Sequence, residues 1–202
     1  MKKRLPVIIG VIVTALFAIL YSYFTDVTHK IYDNNVNTAS YTAIGVLLPG
    51  ETIEQTFVSQ EDVIDGFMIK CNTSGNYGDT AVIVRVYDAE TKELLSETKE
   101  SGSVIKARKL HKFKMNPISG CKGRELILQV EEEGTTEADG IILYFQPGEE
   151  NADGLVIKDN QTAGVFIMKT VTDRFSVQTC LVLLISEWFI WAFLWGLYKL
   201  FQ

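Results

Sequence analysis

The chain has 202 residues, 47% of them hydrophobic, with a formal charge of −6 and a mean hydropathy of +0.13. That is too apolar for a disordered chain and long enough for about one domain plus membrane segments. Residues 25–176, between two apolar ends, hold 15 bases against 24 acids, a net −9; this argues against nucleic-acid binding and leaves polyanions only a local patch or a bridging cation to meet.

Residues 1–4, MKKR, place the N-terminus in the cytoplasm by the positive-inside rule. Residues 5–24, LPVIIGVIVTALFAILYSYF, then run for 20 positions without a charge, the length of one helical crossing of roughly 30 Å of hydrocarbon. Their outer end, AILYSYFTD, lacks the small-x-small signature of signal-peptide cleavage, so the segment reads as a retained anchor. Tyr21 and Tyr23 fall at the outer interface. A second crossing is expected over 177–201, which returns the C-terminus and Lys199 to the cytoplasmic side. The expected location is therefore the cell membrane, multi-pass, with both termini cytoplasmic and the central region extracellular.

The polar stretch 25–42, TDVTHKIYDNNVNTASYT, reads as a membrane-proximal stalk or an irregular first strand. From 43 to 176 the hydrophobic period is two. TIEQTFV puts Ile53, Gln55 and Phe57 on one face; TAVIVRVYD puts Val82, Val84 and Val86 on one face and Ile83, Arg85 and Tyr87 on the other. RELILQVEE, GIILYFQ, GLVIK and AGVFIMK follow suit, while ELLSETKE and HKFKM read as polar edge strands. Asp-Gly pairs at 65–66, 139–140 and 153–154 each read as a turn into an apolar strand. Eight to ten strands on this pattern predict an all-β sandwich, jelly-roll-like, flanked by two transmembrane α-helices.

The order GETIEQTFVSQEDVIDGFMIKC, TAVIVRVYDAETKELLSE and HKFKMNPISGCKGRELILQVE resembles the galactose-binding-like jelly-roll domains outside the membrane in Gram-positive envelope proteins, some of them linked to surface-polysaccharide assembly. The resemblance spans roughly residues 44–146 and includes no invariant site motif. It implies a bacterial surface protein that handles glycans, and no ligand residues carry over from it.

Three function classes remain. For a glycoside-active enzyme, carboxylates such as Asp65, Asp79 and Asp88 would have to act as acid and base or nucleophile, but each reads more economically as a turn residue, and no GxSxG, HExxH or P-loop pattern is present. A non-enzymatic glycan-binding module would use aromatic rings with Arg, Gln or Asn; Arg85, Tyr87, Gln129 and Tyr144 fall on non-core strand positions, with Tyr77 in the SGNYGD loop. The alternative for each is an ordinary half-buried sheet residue. The third class is a structural or accessory subunit, since almost the whole chain is spent on crossings and one outer domain.

KARKLHKFK concentrates Lys106, Arg108, Lys109, Lys112 and Lys114 in nine residues, either a cationic strip for phosphate-bearing polymers or headgroups or lysines guarding a strand edge. Cys71 and Cys121 are the pair that an oxidising exterior could join; closing about 50 residues would add roughly 4 kcal/mol in the chain-entropy model, provided that their Cα atoms approach. No CxxC pair exists and the histidines are His29 and His111 alone, so neither metal nor cofactor is expected.

The second crossing carries Glu187 near its middle. At 100° per residue Cys180, Glu187, Trp191, Leu194 and Tyr198 share one stripe. A lone acid at that depth turns from lipid towards protein. Thr14 is the polar side chain at similar depth in the first crossing, and a group on a membrane partner is the alternative. The composite expectation is a non-enzymatic two-pass envelope protein in the lipid bilayer, an accessory or recognition subunit that meets a cell-surface glycan and a membrane protein partner.

Overall fold

The computed structural model describes residues 5–33, 35, 37–148 and 154–201, with side chains from residue 8 onward. The expectations for residues 1–4 and for Asp153 lie outside this set. The chain divides into a helical unit, Met1–Val27 with Asp173–Gln202, and a β unit, Thr28–Thr172.

The helical unit consists of α1 (Leu5–Tyr23) and α2 (Val177–Leu200). At 1.5 Å per residue α2 is about 36 Å long, and it is the one described helix both long and apolar enough to cross a membrane; the apolar part of α1, Ile8–Tyr23, is shorter. Ser176 caps α2 by accepting from the Thr179 N–H at 3.2 Å, and Lys199 in its last turn lies over the Trp195 ring. The helices meet along small residues spaced by four on α1. A methyl group on Gly10 would lie 2.9 Å from Trp191 Cη2, Thr14 faces Glu187, Ala18 and Ser22 are buried, and the Ser176 N–H donates to Ser22 O at 3.0 Å. Small side chains at that spacing let two helices approach.

In the β unit thirteen strands are described. The first five are β1 (Val27–Lys30), β2 (Thr42–Gly45), β3 (Thr52–Val58), β4 (Val63–Ser74) and β5 (Ala81–Asp88). Next come β6 (Leu94–Ser101), β7 (Lys109–Ser119), β8 (Glu125–Glu133) and β9 (Gly140–Pro147). The short β10 (Leu155–Ile157), β11 (Asn160–Thr162), β12 (Gly164–Phe166) and β13 (Met168–Thr172) complete the set. They form two antiparallel sheets. The first runs β1-β13-β4-β9-β12, with β2 also on β9 and β7 also on β4; the second runs β11-β10-β3-β8-β5-β6.

The alternation read from the sequence decides which side chains meet between the sheets. Ile53 and Phe57 from β3, Val82, Val84 and Val86 from β5, and Leu126, Leu128 and Val130 from β8 are buried from the second sheet. Phe67, Ile69, Phe113, Leu143, Phe166 and Met168 meet them from the first. The Phe57 and Phe67 rings cross edge to face at 5.8 Å, joining the layers. Two antiparallel sheets around one apolar core fit a β-sandwich.

One local expectation needs correction. Asp65-Gly66 is no turn: it sits inside β4, where the pairing with β7 slips by a bulge between Ile64 and Gly66. The Phe113 carbonyl comes so close that a Cβ on Gly66 would be 2.3 Å from its oxygen, which is why glycine stands there. By contrast, Asp139 closes a turn with Thr136 before β9, and Gly154 precedes β10 with φ +59°. Of the two readings of residues 25–42, the described residues follow the strand: β1 and β2 both belong to the first sheet, and Tyr32 is buried with its ring 6.1 Å from that of Tyr41.

Candidate functional site

On the outer face of the second sheet, β5 and β8 set Arg85 opposite Gln129. The Arg85 guanidinium donates to Glu131 at 2.6 Å, to Glu97, and to Gln129 Oε1 at 3.4 Å. Tyr87 Oη donates to the same Gln129 oxygen at 3.4 Å, and Gln129 Nε2 donates to Glu54 at 2.8 Å. Lys99 and Glu133 form a further pair at 2.5 Å. Arg85, Tyr87 and Gln129 are thus brought together, but as a network that consumes its own donors. The hydrogen bond to Glu131 leads the effects that hold the guanidinium above its ordinary value.

The other two glycan candidates do not join them. Tyr144 lies on β9, in the opposite sheet, because neighbours along the chain are not neighbours in these sheets. Tyr77 opens a 3-10 turn, Tyr77–Asp79, and packs against the core. A single strip of all five residues is therefore excluded.

Tyr144 belongs to a different arrangement. Lys70 on β4 places its Nζ 5.6 Å from the Tyr41 ring centre and 5.7 Å from that of Tyr144, so one ammonium group faces two aromatic rings. The register carries the outer face on: Lys169 of β13 and Lys112 of β7 both lie opposite Met68. A polar groove of about 560 Å³ reaches Lys30 and is lined also by His29, Gln55, Gln60 and Glu125. Gln55 is nearly inaccessible there, accepting the Phe166 N–H at 2.8 Å and donating to Thr56 O at 2.9 Å.

The basic run 106–114 is divided by its own geometry. Lys106 and Arg108 lie in the exposed loop before β7, whereas Lys109, Lys112 and Lys114 lie on β7, which pairs with β4 alone. His111 points inward and bonds Glu100 of β6 at 2.7 Å. Cys71 and Cys121 are free. The Cys121 N–H donates to Asp62 O at one end of β4, and Cys71 is nine residues further along, roughly 30 Å at strand rise, so no disulfide can join them. Burial pushes the Cys71 thiol far above its usual range.

The carboxylates considered for catalysis serve local structure. Asp88 accepts the N–H groups of Glu90 and Thr91 and an Arg124 bond at 2.6 Å; the Thr91 backbone bond, followed by Arg124, lowers its carboxyl to about 2. Asp79 accepts from Asn76 at 2.9 Å, and Asp65 stands at the β4 bulge.

Glu132 was missed by the sequence reading. It is inaccessible to solvent, yet it accepts the Ile141 N–H at 2.9 Å and the Leu47 N–H at 3.5 Å. The signal was there: the period that buries Leu126, Leu128 and Val130 continues to Glu132.

In the helical unit Thr14 Oγ1 donates to Glu187 Oε1. Glu187 Oε2 is shielded and has no hydrogen-bond partner among the described residues. Hollows of about 230 and 300 Å³ flank this pair, walled by Val11, Ala15, Leu184 and Trp188 on one side and by Phe17, Leu183, Ser186 and Ile190 on the other. Trp191 lines both, while Leu194 and Tyr198 of the expected stripe are exposed. Glu187, Trp191 and Leu194 of the stripe thus line hollows shared with α1.

No protein-family model matches this chain, and a search of curated proteins found no match.

Proposed function

We propose that the chain is a non-enzymatic, two-pass cell-envelope membrane protein, an accessory or recognition subunit whose jelly-roll-like β unit lies outside the membrane and contacts surface glycan. α1 and α2 are the two crossings, and a membrane protein partner packs against them. The observation that carries the anchoring is the surface of α2. Trp188 and Trp195 are 72% and 64% exposed on one side of the helix and Phe189 is 67% exposed about 100° around it, and water is a poor neighbour for so much apolar area. The shielded, unpartnered Glu187 Oε2 favours a partner, because an unpaired carboxylate oxygen among apolar side chains is costly until a donor reaches it. Recognition draws on Lys70 between Tyr41 and Tyr144, since aromatic rings beside a polar head suit the mixed surface of a sugar.

The test is topological. Glu90 is exposed at the β5–β6 turn, so a Glu90→Cys variant should react with a membrane-impermeant maleimide in intact cells. Labelling only after lysis would overturn the topology. A purely structural subunit is the second reading, favoured by the self-satisfied Arg85 network; failure of the intact protein to bind any member of a broad glycan array would select it.

A further inference from the structure

We infer that the outer face of the first sheet binds an acidic polysaccharide, with Lys70 and its two tyrosines at the centre of a lysine row. The inference rests on the recognition reading above and gives it a ligand class and a place. The row crosses four neighbouring strands, β1, β13, β4 and β7, through Lys30, Lys169, Lys70 and Lys114. Lys169 and Lys112 stand opposite Met68, Lys70 lies two residues beyond Met68 and Lys114 two beyond Lys112, so alternation puts all of them on one face.

Charge complementarity selects the occupant. Among the described residues none of Lys30, Lys70, Lys114 and Lys169 is in an ion pair, although acids outnumber bases in this part of the chain. The opposite face, by contrast, presents Glu54, Glu97, Glu131 and Glu133 around Arg85 and Lys99. One sandwich therefore shows opposite charge on its two outer faces, and the cations on the basic one crowd each other: burial and then the nearby Lys30 lower the Lys169 ammonium below its ordinary value. Bringing an anion across that face relieves the crowding.

Length and chemistry narrow the anion. Four strands at about 4.8 Å spacing carry the row over roughly 14 Å, more than one sugar ring, so a chain with repeated charges engages it better than a single small anion. Tyr41 and Tyr144 beside Lys70 offer ring faces to the CH surface of a sugar while the ammonium takes its acidic group.

The experiment uses the full chain in nanodiscs of phosphatidylcholine, with immobilised polygalacturonate as the acidic probe, dextran as the neutral one and vesicles containing phosphatidylglycerol as the lipid one. Polygalacturonate should bind saturably and more weakly at high ionic strength. The Lys70→Gln/Lys169→Gln variant should lose about tenfold in affinity, Lys70→Arg should keep it, and Lys99→Gln on the opposite face should change nothing. An undiminished double variant with an unchanged melting temperature overturns the inference. Preference for dextran overturns the acidic ligand but leaves glycan recognition standing, whereas binding to neither glycan removes both. Binding to the phosphatidylglycerol vesicles alone reassigns the face to headgroups and also overturns the inference.

Discussion

Glu132 is a carboxylate enclosed by apolar strands, and that enclosure pushes its pKa up to about 7 against an ordinary 4.5, with the Ile141 and Leu47 N–H groups pulling the other way. A raised acid favours the folded state while protonated in both states, so its contribution is intact below about pH 4.5 and is lost as pH rises towards 7. The loss amounts to about 3 kcal/mol. Denaturation of the β unit at several pH values should show this decline, and Glu132→Gln should flatten it. Asp88 acts in the opposite window: its lowered carboxyl contributes stability above the ordinary 3.8 that is lost as pH falls towards 2. Gly66 gives a steric prediction. Gly66→Ala drives a methyl group into the Phe113 carbonyl and should cost about 1–3 kcal/mol, read as a shifted denaturation midpoint with an unchanged slope. At this scale alternation is a reliable guide to facing, and Arg85, Tyr87 and Gln129 lie outward as it requires. It is silent on whether an outward polar group is free, since Arg85's carboxylates come from β6 and β8 and depend on which strands pair.

Among the elements, the α1–α2 seam rests on a four-residue spacing of Gly10, Thr14, Ala18 and Ser22 that the expected crossings did not include. It was legible as a small-residue stripe, but uniform hydrophobicity hides such a stripe from any scan for an apolar face. With Ser176 N bonded to Ser22 O, a Ser22→Cys/Ser176→Cys variant should crosslink readily under mild oxidation. Gly10→Leu should suppress the crosslink by driving the helices apart at Trp191. Glu187→Gln keeps an acceptor for Thr14 and should leave it unchanged, while Glu187→Leu forfeits a bond worth about 0.6–2 kcal/mol in such surroundings and should reduce it. Equal crosslinking by the Gln and Leu variants would show the Thr14 contact to be incidental. The strand edges were more legible: β6 and β7, read as polar edges, are edge strands of the two sheets. Cys71 and Cys121 were not, because distance along a paired strand is invisible until the pairing is known.

For the whole molecule, the two-sheet layering followed from period-two stretches and turns, whereas the strand order did not. β4 pairs with β7, β9 and β13, the last of them about a hundred residues further along the chain, and nothing local encodes that choice. Tyr144 consequently stands in a different sheet from Arg85, Tyr87 and Gln129. The core of the β unit is drawn entirely from residues within that unit, so a fragment of residues 28–172 should fold alone, with a far-UV dichroism spectrum dominated by sheet. A helical or disordered spectrum would show that the unit needs the helices to fold.

The first and last strands of that unit lie side by side. Ile31 N donates to Met168 O and Thr170 Oγ1 to His29 O, so β1 and β13 run in opposite directions and their outer ends, Val27 and Thr172, emerge together. A pull applied through those two ends would load the bonds between β1 and β13 one after another, as a zipper opens, instead of shearing them all at once. Tension between the chain's two halves should therefore peel β1 away at low force while the remaining strands keep their order, giving this domain a mechanical weak point at the place where it leaves for the helices.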